Sequence, residues 1–277
     1  LRRKPLFWIS AALILLFVLM AVWPSLFTSV DPTHTDLSRS RVGPSADAWF
    51  GYNIQGQDLY ARAIYGARAS IVVAVVATMF TVLLGGASGV SAGFRGGWID
   101  GLLSRVADVF FGLPFVLGAI VILTTFNPPN SNNNQFTIML LVILSLTILA
   151  WPVPMRLMRS SVLSSKHADS IMAARALGAG NGRIIFRHLI PNTLAPLLVY
   201  STILVGGFIS AEATLSFLGV GLQSPVVSWG VMIGEAQQYV RVSPHMLFFP
   251  AAFLVVAVLS FVMLGEAVRE ALDPKLR

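Results

Sequence analysis

Six apolar stretches, at residues 6–23, 69–94, 102–126, 136–154, 194–211 and 246–265, constrain this 277-residue chain more than any other feature. Each is long enough to cross about 30 Å of hydrocarbon as helix, which rises about 1.5 Å per residue. Inside a bilayer the backbone N–H and C=O groups must find partners within the protein, so stretches of this kind predict helices. Hydrophobic residues make up 56% of the chain and charged ones 11%, against about 25% charged in an ordinary soluble domain. The expected fold class is therefore all-α and polytopic, with six transmembrane helices in one integral unit. The first stretch follows Arg2, Arg3 and Lys4. It is long for a signal-peptide core and no small-residue cleavage site follows it, so it reads as a signal anchor.

The net charge of +7 would suit a nucleic-acid partner, but the charges lie between the apolar runs. With the N-terminus in the cytoplasm, the inside segments carry fourteen of the Lys and Arg residues, and the outside ones carry Arg39, Arg41, Arg62, Arg68 and Arg241. The positive-inside rule then puts both termini in the cytoplasm of a multi-pass inner (plasma) membrane protein. The positive charge follows from topology and requires no nucleic acid. With no cysteine in the chain, disulfides and thiolate chemistry are excluded.

The spans hold almost no ionisable groups: Asp108 sits about two turns inside the third, and Glu212 and Glu266 lie just beyond the fifth and sixth. Charge in hydrocarbon is costly and marks ion or proton paths, so its scarcity argues against an ion-coupled carrier. None of the lysines, Lys4, Lys166 and Lys275, ends a phosphate-cradling G-x-x-x-x-G-K-[ST] loop. Any ATP hydrolysis must come from a partner. His34, His167, His188 and His245 divide between the two sides, and the Ser160–Ser161 and Ser164–Ser165 pairs lack nucleophile-elbow glycines. The sequence proposes no catalytic residue, no metal ligand and no cofactor held by this chain.

Gly85, Gly89 and Gly93 recur every four residues on one helix face, a surface that lets another helix approach closely, either within the chain or in a second subunit. Residues 27–68 read as a long polar outer segment and 127–135 as an uncharged turn-rich one. Residues 216–245, punctuated by Gly, Pro and Ser, suggest a segment that dips back toward the membrane. The largest inside segment, 155–190, is basic, and its Ala-rich run reads as two short helices separated at Gly178, Gly180 and Gly182.

The stretch ADSIMAARALGAGNGRIIFRHLIPN resembles the coupling loop of permease subunits of binding-protein-dependent ABC importers. Ala173, Ala174, Gly178 and Pro191 match that pattern. Met172 stands where the family has glutamate, and His188 and Ile190 replace the usual Ile and Leu. Three further stretches, GYNIQGQDLYARAIYGARAS, AEATLSFLGVGLQSPVVSWG and GEAVREALDPKLR, are similar to segments of the dipeptide and oligopeptide permease C subunits, with Asn53 and Gln57 replacing an Asp and an Arg.

The resemblance implies a type I ABC importer permease fold: a signal-anchor helix and extracytoplasmic loop over residues 1–68, then a five-helix core over 69–277 with its coupling loop at 155–190. It implies a heterodimer with a homologous second permease, one fused or two separate ATPase subunits that bind the ATP and Mg, and an extracytoplasmic solute-binding protein. Ser170, Met172, Ala173, Ala174, Ala176, Leu177, Gly178 and Pro191 would meet the ATPase. The implied task is import of dipeptides or oligopeptides, although related permeases carry nickel, haem or glutathione. The rival reading is a stand-alone channel or secondary transporter. At the outer mouth, Asp58 and Glu212 are candidates either for a peptide's amino group or for ion pairs with Arg62 or Arg68.

Overall fold

The computed structural model describes residues 5–128 and 133–272. Arg2, Arg3, Lys4, Lys275 and Arg277, residues 129–132 of the uncharged outer segment and the last five residues of the C-terminal stretch lie outside the described residues. In chain order the helices are α1 (Pro5–Val22), α2 (Leu59–Arg95), α3 (Gly97–Phe111), α4 (Phe115–Phe126), α5 (Gln135–Ala150), α6 (Pro152–Ser165), α7 (Asp169–Ala176), α8 (Asn181–Arg183), α9 (Ile190–Thr193), α10 (Ala195–Phe217), α11 (Trp229–Ala236) and α12 (His245–Leu272). A π-helical turn, Ile184–Leu189, joins α8 to α9. The helices α1, α2, α10 and α12 are each long and apolar enough to cross a membrane. Two bent pairs, α3 with α4 and α5 with α6, raise the number of candidate crossings among the described residues to as many as six, if each pair counts as one span.

The 37 residues of α2 make a helix of about 55 Å, well beyond the hydrocarbon thickness. It starts ten residues before the expected span because the Asp58 carboxylate accepts a hydrogen bond from the Ala61 N–H at 2.8 Å, satisfying a donor that a helix start leaves open. A division between residues 68 and 69 therefore cuts a continuous helix. At the other end Gly96, with φ of +64°, takes a backbone conformation that other residues rarely adopt and stops the helix.

Gly85, Gly89 and Gly93 meet α6 of the same chain. A Cβ at Gly85 would lie 2.6 Å from Pro154 Cγ, and at Gly93 2.8 Å from Val162 Cγ1. Small residues here let the two backbones touch. The buried side chains of Met155, Met158 and Val162 fill the seam. Helix α6 also corrects the extent of the inside loop: residues 155–165 are helix packed on α2, and the chain leaves that helix at Lys166.

Two expected spans are broken. Gly112, Leu113 and Pro114 separate α3 from α4 at 89°, and α5 bends 44° into α6 beside Trp151, Pro152 and Pro154. Proline removes a donor and crowds the preceding turn, which accounts for both breaks. The third span is thus two helices. Its first half is tied to α6 by a two-pronged ion pair, with Arg159 Nε 2.5 Å from Asp100 Oδ1 and Nη2 2.7 Å from Oδ2. Arg156 pairs with Asp108 at 2.5 Å, with both side chains half-exposed, and stacks over Phe111 with its Cζ 3.9 Å from the ring centroid. Asp100→Asn should lower stability by about 1–2 kcal/mol and Asp108→Asn by less than about 1 kcal/mol, because a fork-shaped, half-buried pair outweighs an exposed one. Thermal unfolding of the two variants in one detergent compares them, and equal shifts would refute the ranking.

At the C-terminal end of α1, Arg68 donates from Nε to the Ala21 carbonyl at 2.8 Å and from Nη2 to the Val22 carbonyl at 3.2 Å, covering the carbonyls at the end of that helix. Arg62, 4% exposed, pairs with Glu235 of α11 at 2.8 Å and donates to Gln57. In the polar segment, the Ser38 hydroxyl, with its amide and Arg39 adding to it, holds Asp36 below the usual carboxylate range. Residues 216–245, expected to dip back toward the membrane, pack Trp229 of α11 against α2. Trp229 is fully buried, and its indole N–H donates to the Ala63 carbonyl at 2.9 Å.

Candidate functional site

Two arrangements stand out, one at each end of the bundle. The first is the segment from α7 to Pro191. Helix α7 is held by one buried side chain, Ile171, which joins Val90, Met158, Val162, Ile184, Leu189 and Leu197 in a small core. Ser170, Met172, Ala173, Ala176, Leu177 and Gly178 are exposed and Ala174 is half-buried. Leu177 is 89% exposed, and Met172 and Phe186 also present large apolar surface.

The end of α7 explains Gly178. Its N–H donates to the Arg175 carbonyl at 3.0 Å and the Ala179 N–H to the Ala174 carbonyl at 3.0 Å, the paired bonds of a Schellman motif. That motif needs a left-handed residue, and Gly178 has φ of +82°. A Cβ there would meet nothing within 4 Å, so backbone conformation and not space selects glycine. Of the three glycines expected to separate the two helices, Gly178 and Gly180 lie between them and Gly182 is inside α8. Pro191 is exposed in α9, just after the π-helical turn that carries His188. Its missing N–H leaves the Arg187 carbonyl without the usual donor, which fits a widened turn there.

The second arrangement centres on Glu212. Helix α10 runs six residues past the expected end of the fifth span, so this carboxylate lies inside the helix and is fully buried. It accepts hydrogen bonds from Ser70 of α2 at 3.0 Å, Ser216 at 2.8 Å and Ser228 at 3.0 Å. Each hydroxyl in turn accepts a backbone N–H, from Trp229 at 3.3 Å, Leu222 at 3.0 Å and Val231 at 3.2 Å. One carboxylate thus fastens the returning segment to α2 and α10, and a buried acceptor with three donors meets the demand that buried polar groups be paired.

Neither acidic candidate makes the expected ion pair. Asp58 caps α2, Glu212 binds hydroxyls, Arg62 pairs with Glu235, and Arg68 binds carbonyls. Local sequence pairs residues within a helical turn or two, whereas the Arg62–Glu235 contact joins residues 173 positions apart. The pairing of Asp100 with Arg159 was missed for the same reason. The prolines at 114, 152 and 154 are the one sequence signal that marks the breaks beside it.

The family described as binding-protein-dependent transport system inner membrane component matches residues 82–277. A dipeptide transport system permease protein, DppC, from Alkalihalophilus pseudofirmus is 37% identical over the whole of this chain and 88% of its own length. The oligopeptide transport system permease protein OppC of Bacillus subtilis is 35% identical over 100% of this chain and 88% of its own. In fold the chain is similar to the inward-facing MetNI methionine ABC transporter, with a TM-score of 0.60 at 19% identity over 76% of this chain and 96% of that one. An amino acid ABC transporter solved with histidines gives a TM-score of 0.58 at 16% identity, covering 76% and 94%. A family match over most of the sequence, full-length relatives above 30% identity and a shared helical fold agree, and the chain belongs to the inner membrane components of binding-protein-dependent transport systems.

Proposed function

We propose that this chain is the permease subunit of an ATP-driven importer of dipeptides or oligopeptides, forming half of the path and coupling through α7 to a separate ATPase. The observation that carries the reading is identity of 35–37% along the chain to relatives named for dipeptide and oligopeptide transport. The chain itself is non-catalytic, and ATP and Mg bind to one fused or two separate ATPase subunits. A homologous second permease completes the path, and an extracytoplasmic binding protein delivers the solute. Both termini face the cytoplasm of the inner membrane in this reading, which the Lys and Arg distribution supports.

The α7 segment supports the coupling role. It is short, lies outside the crossing helices and shows Met172, Leu177 and the small Ala173 and Ala176 to its surroundings, a profile that suits a groove in another protein. Closure of the ATPases would push α7 against its Ile171 anchor and rock the bundle, opening the path alternately to each side. Glu212 then acts as a structural tie at the outer end and Asp58 as a helix cap.

The complete complex, reconstituted in proteoliposomes with its binding protein, should import labelled dipeptide only with ATP. ATP-independent flux through this chain alone would instead establish a channel or carrier. Gly178→Val places a β-branched residue at positive φ. It should cut peptide-stimulated ATPase activity by about tenfold, the loss produced by about 1.4 kcal/mol in an equilibrium coupling, while the protein still reaches the membrane. Coupling at the wild-type level in that variant would refute the role of α7.

A further inference from the structure

The two broken spans open onto one recess. It has a volume of about 330 Å³ and is lined by Phe110 and Phe115 at the first break, Ala150 and Val153 at the second, and Tyr200 and Gly207 of α10. Pro152 and Pro154 have no N–H to give to the carbonyls of Ile148 and Ala150, so the helix is interrupted at the wall of the recess. Non-helical backbone at membrane depth persists only where protein covers it or where it borders a water-filled or solute-filled space, and discontinuous spans in transporters frame solute sites. Two such spans, consecutive in the chain, converge here.

The lining narrows what fits. Among the described residues no charged side chain borders the recess, so an ionised group would enter without a partner from them. The aromatic walls suit an apolar group, and the volume falls in the range of small-ligand pockets. A Cβ at Gly207 would meet nothing within 4 Å, so the floor at this point is open. Tyr200 lines the space, and its hydroxyl has no hydrogen-bond partner among the described residues, leaving one polar group on a residue of an otherwise apolar wall.

We propose that this recess receives the apolar side chain of a peptide in transit, with the Tyr200 hydroxyl donating to a neighbouring peptide carbonyl. The proposal rests on the peptide-import reading and adds to it a selectivity element inside the permease. In the reconstituted complex, uptake of Gly-Phe and Gly-Gly is measured side by side. Gly207→Trp, which fills the floor, should lower the ratio of Gly-Phe to Gly-Gly uptake by about tenfold, the scale of discrimination that one apolar pocket supplies.

Should that variant fail to assemble, Gly207→Cys decides, since the chain contains no other cysteine. Its labelling by a maleimide in the assembled complex should slow when Gly-Phe is transported and not when Gly-Gly is. An unchanged uptake ratio, labelling insensitive to Gly-Phe, or constant shielding of that cysteine by lipid or by the second permease would each overturn the recess as a solute site. If the wild-type complex imports neither dipeptide, the peptide reading itself fails and the recess falls with it. Import with an unchanged ratio removes only the recess.

Discussion

Gly89→Leu is expected to lower the stability of the helix bundle by about 3 kcal/mol or more, at the upper end of what overpacking a tight interior costs. A Cβ at this position would lie 2.5 Å from the Met155 carbonyl oxygen and 2.8 Å from Met158 Cβ. Both neighbours belong to the rigid part of α6, so neither can swing aside as the tip of a long side chain can. Relief requires separating two helices along the seam that also seats Gly85 and Gly93. Because α6 leads directly into the α7 segment, the substitution should also reduce coupling. Gly101→Leu is the matched control: a Cβ there meets nothing within 4 Å, and the change should stay within about 0.5 kcal/mol. Thermal unfolding in detergent and the amount of chain recovered from membranes measure both. A Gly89→Leu protein that melts with the wild type would show that the seam is not closely packed.

Glu212→Ala should cost about 3 kcal/mol, since three buried serine hydroxyls lose their shared acceptor at once. Glu212→Gln keeps the shape and one accepting oxygen but adds an N–H₂ group. The serine oxygens near it already accept backbone N–H groups, and the loss should be about 1 kcal/mol. The local readout is more specific than the melting temperature. A cysteine in place of Leu222, which is 1% exposed, should label slowly in the wild-type background and at least several-fold faster with Glu212→Ala, because the returning segment loses its tie to α2. Slow labelling in both backgrounds would refute the tie and leave Glu212 as an ordinary buried residue.

The strongest reading from sequence concerned features that depend on composition over long windows. Long apolar runs have few solutions in a bilayer, so α1, α10 and α12 were legible with their starts within one residue, although α10 and α12 run six and seven residues past the expected ends. The turn that ends α7 was legible as a short motif because Gly178 answers a local backbone requirement. The Gly85, Gly89 and Gly93 face was legible as a packing surface, but its partner was not. Which helix fills a small-residue groove depends on the return path of the chain, and that path was obscured by reading residues 155–165 as loop.

Sequence by itself determined that the chain is helical, crosses a membrane several times, places its Lys and Arg unevenly and turns sharply at Gly178, because hydrophobic length, charge distribution and backbone-specific glycines act locally. Only the tertiary structure decided that Arg62 pairs with Glu235, that Glu212 is held by serines from three segments, and that two proline-broken spans share a recess. Those contacts join residues far apart along the chain. Their energies arise from desolvation and close packing, which exist only once the helices have come together.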